Sequence, residues 1–292
     1  MELRGIYVPL ITPFTPDGAL AADALEGLAH AVLDEGAAGL ALLGTTAEAA
    51  ALDEAERRTV VEVGTRVCRE RGATVIVGIG AGDTRSSAAA LARLTGADAA
   101  LVTVPSFSRP GEAGVLAHFE HLAEHSPVPL VIYHIPYRTG QALGADTLGR
   151  LAALPAVAGV KYAVGGIDQD TVALLADPPE DFAVLAGDDL YLSPMLAMGA
   201  AGGILAAAHL ATGRFVELAD AWRQGEAVRA RALGHRLAAL ARAVFAEPNP
   251  AVVKGVLHAQ GRIPSPAVRL PLLPAGRASV DHALERLAAL DG

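Results

Sequence analysis

Lysine is almost absent from this sequence, which has only Lys161 and Lys254 among its 23 basic residues. Arginine supplies the other positive charges, and an arginine cannot lose its proton to become a nucleophile. A lysine can do so once burial lowers its pKa towards neutrality. Lys161 lies in an apolar run, AVAGVKY at 156–162, so it is a candidate for forming a Schiff base. The alternative is an ordinary lysine with its stem on apolar surface and its ammonium in water.

Cysteine, aromatic residues and positive charge are also scarce. The single cysteine, Cys68, excludes an intramolecular disulfide and a thiolate metal cluster. An aromatic content of 4 % predicts an aliphatic core. The formal net charge of -9 argues against binding to nucleic acid or to anionic membranes, which requires clustered positive charge. Since neither a signal peptide nor an apolar run of roughly 18 residues is evident, we expect a cytoplasmic protein without membrane or nucleic-acid partners.

Short aliphatic runs alternate with amphipathic helical patterns along most of the chain. Eight runs are predicted strands, at 5–12, 39–43, 74–80, 99–104, 130–135, 157–161, 182–186 and 202–206. Helical patterns separate them, at 21–35, 52–71, 85–94, 111–125, 146–154, 168–176 and 190–198. Strands that are apolar on both faces and alternate with helices form a parallel sheet, and eight such units close into a barrel.

The predicted fold class is therefore α/β, a (β/α)8 or TIM barrel over residues 1–212 with a C-terminal helical appendage. Helical patterns at 213–245 and 252–260 and a last helix from Ser279 make up that appendage, residues 213–292. Because no low-complexity linker precedes it, we expect this region to pack directly on the barrel.

Polar residues recur where the predicted strands end, and catalytic groups of such barrels gather at the C-terminal ends of the strands. They are Thr12, Thr45, Thr46, Tyr133, Lys161, Asp188, Asp189 and His209. The stretch GTTAE at 44–48 predicts a glycine turn and a Thr-x-x-Glu capping box, whose free amides favour a small carboxylate. A plain helix N-cap is the alternative.

Tyr133 and Arg138 belong to strand five and the loop above it. Alternation along the strand aims Tyr133 into the barrel mouth beside Lys161, where a phenol can transfer protons to an imine. A core tyrosine with a satisfied hydroxyl is the alternative. The guanidinium of Arg138 is placed to bind a second carboxylate.

Motifs along nearly the whole chain resemble those of the dihydrodipicolinate synthase and N-acetylneuraminate lyase family, in order and at the family's spacing. They are VPLITPF at 8–14, GTTAE at 44–48, VTVPSFSRP at 102–110, YHIPYRTG at 133–140, GVK at 159–161, AGDD at 186–189, GGIL at 202–205 and EPNPAVVK at 247–254. The resemblance implies a pyruvate-dependent class I aldolase or lyase that needs no metal and no organic cofactor.

The resemblance also implies roles for individual residues. Lys161 is similar to the lysine that condenses with the ketone of pyruvate, and Tyr133 to the acid/base tyrosine, which a proton relay links to Thr45. Thr45 and Thr46 match the pair that binds the pyruvate carboxylate. The carbonyl of Ile204 matches the backbone group that faces the imine.

Arg138, Gly187 and Asp188 complete the predicted substrate-binding residues. By resemblance, Arg138 binds the carboxylate of aspartate semialdehyde, which favours the synthase branch of the family. The leading hypothesis is a Schiff-base lyase or synthase that condenses pyruvate with an aldehyde, aspartate semialdehyde being the leading candidate. One alternative is an aldolase or hydratase-aldolase acting on another 2-oxo acid, by retro-aldol cleavage of a sugar acid or by hydration-aldol chemistry on an aromatic aldehyde. The other is a catalytically silent barrel that binds a carboxylate.

Some positions depart from the synthase pattern. Phe107 stands where the synthases have a tyrosine that crosses a dimer contact and completes a proton relay, which is broken here unless water or His134 substitutes. Both residues are predicted to lie just behind the reacting groups. Ala49 and Ser106 replace a serine and a tyrosine of the family's lysine-feedback site, so feedback by lysine is not expected. Family members are commonly tetramers, which implies a homo-oligomer, a dimer of dimers.

Overall fold

The computed structural model describes residues 1–80 and 82–290 and contains a closed barrel of parallel strands. Each strand pairs with the next one along the chain, and the eighth pairs with the first. The strands are β1 (Gly5–Pro9), β2 (Gly39–Leu42), β3 (Thr74–Ile79), β4 (Ala99–Thr103), β5 (Leu130–His134), β6 (Val157–Tyr162), β7 (Ala183–Ala186) and β8 (Gly202–Ile204). The predicted (β/α)8 fold is confirmed.

Helices fill the connections between the strands. They are α1 (Ala22–Asp34), α2 (Glu54–Arg71), α3 (Thr84–Ala92), α4 (Gly111–His125), α5 (Pro136–Thr139), α6 (Ala145–Ala152), α7 (Gln169–Ala176) and α8 (Leu192–Ala197). The sequence specifies several of their ends. Asp53 and Glu56 form a reciprocal capping box at the start of α2, and Gly72 ends this helix in the left-handed conformation.

The segment at residues 44–48, called the threonine turn below, differs from its prediction. No capping box forms at Thr45 and Glu48, because residues 45–47 make one turn of 3-10 helix without a side-chain cap. Glu48 is left-handed, with a φ of 54°, and a second 3-10 turn follows at Ala49–Ala51. The capping-box prediction is therefore wrong here. The box that starts the helix lies further along, at Asp53.

Alternation along the strands divides the core into two layers. Inward-facing side chains fill the barrel, among them Tyr7, Leu101, Leu185 and Ile204, and the outward-facing ones pack beneath the helices. In β6, Lys161 therefore faces into the barrel while its neighbours Val160 and Tyr162 face the helical layer.

The C-terminal region is helical and returns to the mouth of the barrel. Its helices are α9 (Ala208–Arg223), α10 (Ala227–Val244), α11 (Ala251–Ala259) and α12 (Arg277–Ala288). The helical pattern at 213–245 is divided at Gly225, whose φ is 76°. The predicted boundary between the barrel and the C-terminal region, at residues 212 and 213, falls inside α9, beside a kink at Ala211. The division of the chain into these two regions stays a prediction. Residues 291 and 292 lie outside the described residues.

Within the described part of the chain, no helix has both the length and the apolar character needed to cross a membrane.

Candidate active site

Lys161 lies near the C-terminal end of β6, on the inner face of the barrel. It is level with Tyr133 of the neighbouring strand β5, because the two residues are partners in the parallel register. The side chain is buried, and the residue is only 6 % exposed. Its ammonium therefore does not extend into solvent, as the alternative of an ordinary surface lysine requires.

The environment of Lys161 favours the neutral amine. Burial lowers the pKa of Lys161 from 10.5 to about 8, because the charged form loses its hydration. The carboxylates of Asp189 and Asp188 oppose this effect and raise the pKa, with Asp189 the stronger of the two. A substantial fraction of the amine is thus unprotonated near neutral pH.

Tyr133 presents its phenol ring to the lysine. The Lys161 Nζ lies 4.4 Å from the centroid of the Tyr133 ring. Burial raises the pKa of Tyr133 to about 12, while a hydrogen bond with the Thr45 side chain and the charge of Arg138 act in the opposite direction. The phenol therefore keeps its proton at neutral pH and can donate it to a developing negative charge.

The threonine turn is held from several directions. Thr46 is buried, and its hydroxyl accepts a hydrogen bond from the Nδ2 of Asn249 at 2.9 Å. The Thr12 hydroxyl donates to the carbonyl of Ala47 at 2.8 Å. The Oδ1 of Asn249 is buried and has no hydrogen-bond partner within residues 1–80 and 82–290. These contacts fix the two threonines at the edge of a cavity that Asn249 also lines.

Two aspartates after β7 lie beside the lysine. Asp188 accepts a hydrogen bond from the Gly165 amide at 2.7 Å, and burial raises its pKa. Asp189 accepts from the amides of Ala206 and Ala207, and burial raises its pKa to about 7. Both carboxylates are thus held by backbone donors at fixed positions near the amine.

The backbone directly after β7 passes close to the Lys161 side chain, and this requires glycine at position 187. A Cβ at this position would lie 2.8 Å from the Cβ of Ala163 and 3.0 Å from the Cγ of Lys161. Only glycine leaves room for the lysine side chain here.

Every residue predicted to react with or bind the substrate lines one small cavity of about 30 Å³. They are Thr45, Thr46, Tyr133, Arg138, Lys161, Gly187, Asp188 and Ile204. Thr45, Tyr133, Arg138 and Asn249 also line a neighbouring pocket of about 330 Å³. The predicted site residues therefore surround a small cavity that has a larger pocket beside it.

The structure adds Asn249 to the cavity, together with Asp189, which sequence reasoning placed at a strand end without a role in the site. Both belong to quoted motifs, AGDD and EPNPAVVK, so a signal was present. Asn249 comes from the segment before α11, more than 200 positions after the threonine turn that it contacts. Its position depends on how the C-terminal region folds back.

His134 and Phe107 lie outside this cavity. His134 follows Tyr133 in β5 and faces the helical layer, where its ring centroid is 5.5 Å from that of Tyr162. Burial lowers the pKa of His134 to about 4, so its ring is neutral at physiological pH. Because His134 lies on the face of β5 opposite to Tyr133, it does not replace the tyrosine hydroxyl that Phe107 lacks. Phe107 is fully exposed, with a φ of 68°.

The geometry joins a buried amine, a phenol and a hydroxyl-bearing turn in the mouth of a barrel. Such an amine can attack a ketone, and the iminium that forms can accept electrons from a neighbouring carbon. In the described residues, no cluster of three or more His, Cys, Asp or Glu side chains offers a site for a metal ion. The fold and this site define the class I aldolases and lyases, enzymes that react through a lysine imine.

Comparison with known proteins agrees with this class. The sequence matches the Dihydrodipicolinate synthetase family over residues 2–289. It is 38 % identical over 274 residues to the 4-hydroxy-tetrahydrodipicolinate synthase of Methanothrix thermoacetophila, covering 93 % of this chain and 91 % of that protein. The chain belongs to the dihydrodipicolinate synthetase family of pyruvate-dependent enzymes, as the sequence motifs predicted.

Solved structures extend the similarity to the whole fold. The dihydrodipicolinate synthase of Thermotoga maritima gives a TM-score of 0.95 at 29 % identity, covering 100 % of this chain and 99 % of that one. The chloride-inhibited dihydrodipicolinate synthase of Acinetobacter baumannii, complexed with pyruvate, gives 0.93 at 32 % identity, covering 99 % of each chain.

Proposed function

We propose that this enzyme condenses pyruvate with an aldehyde through an imine on Lys161. The observation that carries the proposal is the buried amine of Lys161, whose pKa is lowered to about 8, facing the Tyr133 ring in a cavity for a small molecule. Thr45 and Thr46 bind the pyruvate carboxylate through their hydroxyls and the amides of the turn. This role fits a chain with few basic groups.

The reaction proceeds in five steps. The neutral Lys161 amine attacks the ketone carbon of pyruvate, and the ketone oxygen takes up a proton from Tyr133. The nitrogen of the adduct returns a proton to Tyr133, which passes it to the same oxygen, so that water leaves and the iminium forms. The iminium draws electrons from the pyruvate methyl group, which loses a proton to Tyr133 and becomes the enamine carbon. This carbon attacks the aldehyde carbon while the aldehyde oxygen takes up that proton. Water finally hydrolyses the new iminium, which releases the product and the free lysine.

Thr45 and Tyr133 transfer the protons in this scheme. Both residues line the same cavity, and the Thr45 side chain lowers the pKa of Tyr133, which supports a relay that does not pass through Phe107. The carbonyl of Ile204 faces the imine, and Gly187 and Asp188 close the cavity around it.

We propose aspartate semialdehyde as the aldehyde. Arg138 lines both cavities, where its guanidinium can bind the aldehyde's carboxylate. The Methanothrix relative is named 4-hydroxy-tetrahydrodipicolinate synthase, which supports the synthase branch. A second candidate is an apolar aldehyde, because the larger pocket is lined mainly by aliphatic side chains such as Leu43, Ile79 and Leu101. Membership of an enzyme family argues against a catalytically silent barrel.

Reduction with borohydride in the presence of pyruvate tests the imine. We expect the mass of a reduced pyruvyl group on Lys161 in the wild-type protein and no adduct in Lys161→Met. Tyr133→Phe should still bind pyruvate but lose roughly 100-fold or more in turnover, the usual contribution of a general acid. An adduct on Lys254 instead of Lys161 would contradict the proposal.

Turnover with candidate aldehydes separates the two substrates. Product formation from aspartate semialdehyde supports the synthase, whereas an adduct with pyruvate and turnover only with aromatic aldehydes supports the second candidate. Arg138 then has no carboxylate to bind, and its replacement should leave turnover unchanged.

We also propose a homo-oligomer, a dimer of dimers. Phe107 supports it, since this large apolar side chain is fully exposed in the single chain and a partner subunit can bury it. Light scattering after size-exclusion chromatography measures the assembly, and Phe107→Ala should weaken it. A wild-type monomer at assay concentration would contradict this proposal.

A cytoplasmic location is consistent with the single free thiol of Cys68.

A further inference from the structure

The second lysine of the chain is buried as deeply as the first. Lys254 on α11 donates hydrogen bonds to the carboxylate of Glu48 and, at 3.0 Å, to the carbonyl of Ala267. Its Nζ lies 4.0 Å from the centroid of the Phe14 ring. Burial lowers the pKa of Lys254 to about 8 while Glu48 raises it, so a lowered pKa is common to both lysines. Lys254 differs in lining neither cavity of the active site.

Glu48 ends the threonine turn in an unfavourable conformation. Its φ of 54° lies in the left-handed region, which residues with a Cβ rarely occupy without compensating contacts. Its Oε1 accepts from Lys254, and its Oε2 accepts from the amide of Arg269 at 2.7 Å. Its own amide donates to the carbonyl of Thr45 at 3.1 Å. The buried carboxylate is thus joined to the turn at one end and to the C-terminal region at the other.

Further contacts reach this part of the barrel from residues that follow its last strand. Asn249 donates to the Thr46 hydroxyl, Lys254 pairs with Glu48, and Arg269 donates to the carbonyl of Ala51 at 2.8 Å. A buried ion pair contributes little net stability, but it fixes the geometry of its partners because an unpaired charge there is costly. The contacts therefore restrict the turn more than they stabilise the fold.

We propose that Glu48 and Lys254 are positioning residues that hold the threonine turn in the orientation that binds the pyruvate carboxylate. The inference rests on the proposed function, in which Thr45 and Thr46 bind that carboxylate. Neither Glu48 nor Lys254 reacts with pyruvate. The C-terminal helical region is therefore part of the pyruvate site through Lys254, although the lysine that reacts belongs to the barrel.

The test measures the pyruvate concentration that gives half-maximal borohydride trapping on Lys161, which needs no knowledge of the aldehyde. Lys254→Met leaves Glu48 without its cation and should raise that concentration at least about tenfold, because small misplacements of binding groups cost this much or more. Saturating pyruvate should still label Lys161. Arg66→Met, which removes an exposed ion pair with Glu26, is the matched control and should change nothing.

The double variant Glu48→Gln with Lys254→Met separates positioning from stability. It buries no unpaired charge, so its melting temperature should return towards that of the wild type while the half-maximal pyruvate concentration stays raised. Recovery of both quantities, or wild-type trapping by Lys254→Met, would overturn the inference and leave the proposed function intact. A wild-type protein without any adduct would refute the proposed function, and this inference with it.

Discussion

The pH dependence of imine formation tests whether Lys161 reacts as a buried neutral amine. Burial lowers its pKa from 10.5 to about 8. At pH 7 an amine with a pKa of about 8 is about 9 % neutral, against about 0.03 % at 10.5, a difference of roughly 300-fold in reactive amine. The rate of trapping at low, fixed pyruvate should therefore rise with pH and level off above about pH 8.

Two variants examine the cause of this pKa. Asp189 raises the pKa of Lys161 more than any other charge, and its own pKa of about 7 leaves it ionised where the lysine titrates. Asp189→Asn should therefore move the inflection to lower pH, and Asp188→Asn should move it less. The assay is rapid mixing with pyruvate, borohydride quenching and intact mass measurement. The pH range spans the lowered pKa of Lys161, about 8, and the ordinary value of 10.5.

An inflection in the wild-type protein near 10.5, the pKa of an exposed lysine, would refute the argument from burial. If the inflection has the same pH in the wild type and both variants, the electrostatic role of the aspartates is refuted, and the argument from burial is not affected. Unfolding measured by circular dichroism at each pH shows whether loss of trapping follows loss of structure.

Three further predictions concern the same site. Lys161→Met should raise the free energy of unfolding at pH 7 by up to about 3 kcal/mol, since the lowered pKa (10.5 to about 8) measures the cost of burying the protonated amine. That gain is full below about pH 8 and fades towards pH 10.5, which urea unfolding across this range checks. Gly187→Ala should slow trapping because its Cβ would meet Lys161, whereas Gly149→Ala, with open space around it, should not. Arg138→Met should raise KM for aspartate semialdehyde about 10- to 100-fold, the loss of a charged hydrogen bond. It should change pyruvate trapping far less, because Arg138 acts on Lys161 only through its charge.

The barrel was predictable because it depends on local patterns. Apolar runs of five to eight residues that alternate with helical periodicity specify each strand and helix, and parallel strands leave few ways to connect them. Tyr133 and Lys161 then lie side by side on neighbouring strands, because they are partners in the register of β5 and β6. Period-two alternation places both side chains inside the barrel, so these groups were predicted together from sequence alone.

The threonine turn was not predictable in the same way. The letters GTTAE fit a capping box, yet Glu48 is drawn away from the helix start by Lys254 and Arg269, which lie more than 200 positions later. The two predicted residues outside the cavity show a related limit. His134 was placed near the relay by sequence adjacency, but adjacent residues of a strand face opposite sides.

The sequence by itself determined the fold, the family and the choice of Lys161 as the candidate lysine, because each depends on spacing within short segments and on residue chemistry. Only the tertiary structure decided how far the amine is buried, which carboxylates surround it and what holds the turn opposite it. These properties depend on contacts between distant parts of the chain. Desolvation and charge pairing act through space, so they appear only when the barrel loops and the C-terminal region come together in the folded chain.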